Sequence, residues 1–77
     1  MSTPVGNHLR RFRFERGELS QETVARAVGI TRQTVIAIEA GRYAPSLELA
    51  MRLAWALDCP VEALFFWRDP PADIARL

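Results

Sequence analysis

Three consecutive side chains, Arg32, Gln33 and Thr34, carry hydrogen-bonding groups suited to nucleotide bases and phosphates. They open the run RQTVIAIE, whose apolar spacing predicts a helix. Along that helix Val35 and Ile38 turn to one side, while Arg32, Gln33, Ile36, Ala37 and Ala40 share an arc of about 140° on the other. On the outer arc Gln33 has the paired donor and acceptor that match adenine, and Arg32 has the fork that matches guanine or a phosphate. Thr34 suits either base or phosphate, Ile36 offers an apolar group to a thymine methyl, and Ala37 is small enough to allow close approach. Enzymatic chemistry has far less to draw on. His8 and Cys59 are the only residues of their types, and neither has a motif partner. The sequence carries no metal-ligand spacing, Gly-rich phosphate loop, nucleophile elbow or carboxylate pair. No catalytic residue, metal or cofactor is therefore expected; His8 is expected to face solvent in a first helical turn, and Cys59 to be inert.

The elements that must present these groups are marked by their ends. In Leu19 to Glu39, LSQETVARAVGITRQTVIAIE, Ser20 and Thr31 each stand directly before a helix-forming run, where a side-chain oxygen accepts from an orphan amide of the first turn. Gly29 lies between the runs, where the chain needs a positive φ, and Ile30 turns inward before Thr31 restarts the helix. Two short helices joined by a tight turn make a helix-turn-helix. Further signals predict helices over about 7–16, 47–57 and 61–65 around the pair at about 21–28 and 32–40. Leu9 and Phe12 face inward on the first. Gly17 and Gly41 end helices, Pro45-Ser46 and Pro60 start them, and Pro70-Pro71 forbids a helix through the tail.

Seventy-seven residues give room for one domain with a small core, and the apolar content of 49% suffices for it. No apolar run approaches the ~18 residues of a membrane span, and the N-terminus lacks a signal-peptide layout. A single cysteine excludes an internal disulfide, so a cytoplasmic setting is expected. The net charge of +1 hides an asymmetry: residues 1–42 hold seven arginines against four glutamates, whereas residues 43–77 hold three arginines against five acids. The basic half is the one that contains the helix-turn-helix, as expected of a domain that lays one end on phosphates.

Residues Asn7 to Phe65 resemble the Cro and lambda-repressor-like helix-turn-helix family, also called the XRE family. The resemblance is carried by NHLRRFR with Arg13, LSQETVARAVG, ITRQTVIAIEAGRYAPSLELA and LDCPVEALF, in that order. It implies an all-α, compact five-helix DNA-binding domain of the short stand-alone type. It also implies that Gln21, at a helix N-terminus that favours an anion, meets a DNA phosphate. Arg42 and Tyr43 are then expected on the sugar-phosphate backbone, with Arg10, Arg11 and Arg16 either steering DNA or simply solvated. Arg13 and Glu39 resemble the family's partly buried ion pair, a structural feature.

The organisation expected is a flexible arm at 1–6, the DNA-binding domain at 7–65 and a tail at 66–77. Phe65, Phe66 and Trp67 form a larger aromatic run than a core of this size consumes, and Met51 and Trp55 lie beside the inward arc of the fourth helix. Either the tail folds back over Met51 and Trp55, or two chains share the patch; the twofold dimers usual in the family favour the second, with Trp55, Phe66 and Trp67 at the interface. The function expected is that of a sequence-specific regulator that binds double-stranded DNA as a homodimer and represses from a palindromic operator, with no membrane or small-molecule partner. An antitoxin-type protein-interaction module with autoregulatory DNA binding is the alternative.

Overall fold

The computed structural model describes residues 2–77; residue 1, the first of the expected arm, lies outside the described residues. In chain order the elements are β1 (Val5–Asn7), α1 (Leu9–Glu15), α2 (Gln21–Val28), α3 (Arg32–Glu39), α4 (Leu47–Ala56), α5 (Val61–Leu64) and β2 (Phe65–Trp67). Side-chain caps decide three of the helix starts. Ser20 Oγ accepts from Thr23 N–H at 3.0 Å, Thr31 Oγ1 from Thr34 N–H at 3.2 Å, and Ser46 Oγ from Leu49 N–H at 3.2 Å. Each such cap contributes about 1 kcal/mol.

The helix ends are equally determined. Gly29 has φ 81°, and Ile30 N–H reaches back to Ala25 O at 3.0 Å, closing α2 and turning the chain into α3. After α3, Gly41 has φ 74°. Its N–H donates to Ile38 O at 3.0 Å, and Arg42 N–H donates to Ala37 O at 3.0 Å, the paired bonds of a Schellman turn. The carbonyls of Leu57, the C-cap of α4, and of Asp58 after it find a less local partner. Arg16, expected to be a steering or solvated charge, donates from Nε to Leu57 O at 2.8 Å and from Nη2 to Asp58 O at 3.1 Å. It satisfies orphan acceptors at a helix C-terminus, where a cation is also favoured by the dipole.

The core forms where the apolar sides of the helices meet. Leu9, Val35, Ile38, Leu53, Leu57 and Leu64 are its most deeply buried large side chains, joined by Phe12, Val24, Ala25, Val28 and Ala54. Ile30 packs against it as a wedge, as its place after Gly29 suggested.

The all-α expectation needs one correction: β1 and β2 form a two-stranded antiparallel sheet, with Val5 opposite Trp67, Gly6 opposite Phe66 and Asn7 opposite Phe65. Val5 and Gly6, expected within a flexible arm, are strand residues. Asn7, expected to open the first helix, precedes it. Its Oδ1 accepts from Leu9 N–H at 3.0 Å, a turn that keeps Asn7 outside α1. Gly6 is buried beneath the Phe66 ring, and a Cβ there would stand 2.6 Å from the ring edge. The tail therefore folds back onto the N-terminal segment and leaves Met51 and Trp55 uncovered. His8, expected to face solvent, is half-buried and stacks on Phe66 with ring centroids 4.6 Å apart.

One ion pair lies inside this framework. Arg13 donates to Glu39 through Nε at 2.7 Å and Nη2 at 3.1 Å, and through Nη1 to Leu19 O at 2.7 Å. The two side chains are only 9% and 11% exposed, so water is a poor substitute for either partner. Removing one partner of such a pair costs about 3–5 kcal/mol. Arg13→Ala and Glu39→Ala should each lower the melting temperature by on the order of 10 °C or more, measured by circular dichroism. Two variants that melt like the parent would mean that the pair holds nothing together.

Candidate nucleic-acid interface

The inward side of α3 is sealed by the burial of Val35 and Ile38, so what it offers to a partner is its outer side and its N-terminal turn. Arg32 and Gln33 are exposed there, followed by half-buried Thr34, Ile36 and Ala37. Gln33, Thr34 and Ala37 line one shallow depression together with Tyr43, which approaches from the loop after α3 and is 44% exposed. The structure thus brings three of the expected base-contacting residues together with an expected phosphate contact. Arg42 is exposed in the turn that Gly41 begins.

Two of these residues are more committed than the sequence implied. The Thr34 hydroxyl lies 3.0 Å from that of Thr31, so part of its hydrogen-bonding capacity is used in the cap of α3. Ile36 was expected to be fully presented, but it is half covered by its surroundings.

Arg32 belongs to a second surface that begins where the first ends. With Arg10, Phe14, Ser20, Gln21 and Glu39 it lines an open cleft of about 640 Å³ between α1 and the N-terminus of α2. Arg10 and Arg32 are exposed on its rim together with the acidic Glu22, so the cleft is of mixed charge with a small excess of arginine. Gln21 is half-buried, and its Nε2 donates to Glu39 Oε1 at 3.1 Å. The expected phosphate contact is therefore also the third hydrogen bond to the buried carboxylate. Sequence reasoning missed this link because the two residues lie 18 positions apart, beyond any helical repeat.

The expected interface residues Trp55, Phe66 and Trp67 do not share one hollow. Trp55 is 89% exposed and lines a hollow with Ala54, Asp58, Cys59 and Pro60, whereas Phe66 and Trp67 line another with Val5, Glu62 and Phe65. Trp55 instead continues a stripe on α4 with exposed Leu47 and Met51, four positions apart in each step. The neighbouring Cys59 is half-buried, and burial pushes its thiol pKa up despite Arg16 nearby, so it stays protonated and a poor nucleophile.

The sequence and the fold are similar to those of known proteins. The helix-turn-helix family model HTH_3 matches residues 10–64. The chain is 59% identical over 49 residues to an uncharacterized HTH-type transcriptional regulator of Methanothermobacter thermautotrophicus, spanning 64% of this chain and 70% of that protein. It is 39% identical over 61 residues to another from Archaeoglobus fulgidus, spanning 79% and 86%. Among solved structures, the restriction-modification controller protein C.AhdI from Aeromonas hydrophila superimposes with a TM-score of 0.66 and 40% identity, covering 71% of this chain and 78% of that one.

The Gln21 link makes a testable claim about charge. Gln21→Glu places a second carboxylate beside Glu39 and should destabilise the fold more than Gln21→Ala at neutral pH. The repulsion raises the pKa of the pair, so the excess loss is present above that pKa and shrinks as acid protonates one carboxylate. Thermal melts of both variants from neutral to mildly acidic pH check this; equal, pH-independent losses would show that the two side chains do not meet.

Proposed function

The chain belongs to the helix-turn-helix family of DNA-binding transcriptional regulators, and from that premise we propose that it reads a palindromic operator as a homodimer and represses the promoter that the operator overlaps. The observation that carries the reading is the outer side of α3: Arg32 and Gln33 stand exposed beside Ala37 and Tyr43, while the opposite side of the same helix is fully buried. A small residue at Ala37 admits the helix into a major groove, where Gln33 and Arg32 meet base edges. Gln21, Arg42 and Tyr43 then meet the backbone and set the register, with Thr34 and Ile36 adding contacts to base edges. Occupancy of the operator is the mechanism. C.AhdI, described as a controller protein, supports a regulatory role for this architecture.

Selection of bound duplexes from a random pool identifies the operator. Against the selected site, Gln33→Ala should cost about 1–3 kcal/mol while leaving binding to scrambled duplex nearly intact. Arg42→Ala should weaken both alike and reduce the salt slope by about 0.9. Gln33→Ala binding the selected site as tightly as the parent would remove α3 as the reader.

The homodimer rests on exposed apolar surface. Trp55, Phe66 and Trp67 are 89%, 39% and 56% exposed, and Leu47 and Met51 extend the Trp55 stripe. Two linked copies add their base contacts, and a twofold pair would set its reading helices roughly 34 to 36 Å apart. Trp55→Gln should leave the monomer fold intact, because the side chain touches little of its own chain, yet shift sedimentation toward the monomer and weaken operator binding. A parent protein that stays monomeric at tens of micromolar, with and without palindromic duplex, refutes the dimer and frees the stripe for a different protein.

A further inference from the structure

The two ends of the chain meet at the C-terminal end of α3. An eight-residue helix leaves its last carbonyls in need of donors. Gly41 N–H reaches Ile38 O through the Schellman turn, and the Asn7 side chain gives that same carbonyl a second hydrogen bond: its Nδ2 donates to Ile38 O at 2.8 Å. The other end of the same amide accepts from Leu9 N–H at 3.0 Å, so Asn7 joins the start of α1 to the end of α3. A second tie runs beside it, from Thr3 N–H to Gly41 O at 2.8 Å.

The first tie comes from β1 and the second from Thr3 just before it, and β1 is held by β2. His8 N–H donates to Leu64 O at 2.9 Å and Arg68 N–H to Pro4 O at 2.9 Å, bracketing the strand pair. The Arg68 guanidinium then reaches back to Thr3 O and covers Gly41, where it occupies the space a Cβ would need. Gly41 is buried by this cover, although Arg42 and Tyr43 directly after it are exposed. The path from tail to β1 to Ile38 and Gly41 ends at the loop that carries two expected phosphate contacts.

We propose that Asn7 is a positioning residue for DNA recognition, because its amide fastens the end of α3 and the Arg42–Tyr43 loop to the sheet made by the two chain termini. The proposal rests on the reading of α3 and that loop as the DNA-contacting surface. Asn7 itself touches no DNA in this scheme. It fixes the angle at which α3 leaves the domain and the place where Arg42 begins.

The test uses the full chain, fluorescence anisotropy and two duplexes, one selected from a random pool and one scrambled. Asn7→Ser is the informative variant: its hydroxyl can still accept from Leu9 N–H, it is too short to reach Ile38 O, and it leaves the charge unchanged. Asn7→Ala, which loses both bonds, is the companion. With one hydrogen bond to the helix end removed, Asn7→Ser should stay folded and bind the selected duplex about tenfold more weakly, with a smaller loss on the scrambled one. In an Arg42→Ala background the loss on the scrambled duplex should fall to about twofold or less, since the backbone contact that the loop offers to either sequence is already gone, while the loss on the selected duplex should persist in part through the angle of α3. Parental affinity of Asn7→Ser, an equal loss on both duplexes and in both backgrounds, or an unfolded Asn7→Ser each overturns the proposal. Failure of the underlying reading looks different: the parent itself would not distinguish the duplexes, and Gln33→Ala would match it.

Discussion

A single buried carboxylate fixes how the three N-terminal helices meet. Glu39 lies in the last turn of α3, takes two hydrogen bonds from Arg13 of α1 and a third from Gln21 at the first position of α2. Hydrophobic contact holds the same helices together, but it is non-directional and tolerates sliding. The fork of Arg13 against the carboxylate is directional, and moving α3 by even a fraction of a turn would strand a charge in a site with little water. The Leu19 carbonyl, bound by the third arm of the same guanidinium, extends this control to the approach to α2. The angle between α2 and α3, on which any contact with a groove depends, is therefore a consequence of electrostatics in the core.

Around that fixed point the chain separates its tasks. The apolar sides of α1, α2, α3 and α4 are spent on packing, while hydroxyl caps and left-handed glycines set where the helices start and stop. What remains outward on α3 and its following loop is polar, small or aromatic, with Arg32, Gln33, Ala37 and Tyr43 free of structural hydrogen bonds through their side chains among the described residues. Residues that carry the fold and residues free for a partner overlap only at Gln21 and Thr34. At both, a side chain that can face an anion or a base also satisfies a structural acceptor or donor. The terminal sheet adds stiffness to the far end of the same helix through backbone pairing, one amide and the Arg68 guanidinium, and it requires a glycine at position 6 beneath the Phe66 ring.

The parts legible in the sequence are those whose cause is local. Ser20 and Thr31 bond within three residues, Gly29 and Gly41 adopt positive φ within a single turn, and Val35 and Ile38 face inward through helical periodicity alone. Those signals determined the helix-turn-helix and its outer side, and a residue count alone showed the concentration of arginine in the half that contains it. The Arg13–Glu39 pair, 26 positions apart, was visible only through family resemblance. The pairing of β1 with β2, the stacking of His8 on Phe66, the Arg16 bonds to the end of α4 and the capture of Gln21 by Glu39 had no local trace. Each joins groups whose own neighbourhoods are compatible with several environments. A strand of three residues has no stability alone, and an arginine guanidinium or a glutamine amide N–H donates to whichever acceptor folding brings within about 3 Å. Only closure of the whole chain, which sets Asn7 beside both Phe65 and Ile38, could decide among them.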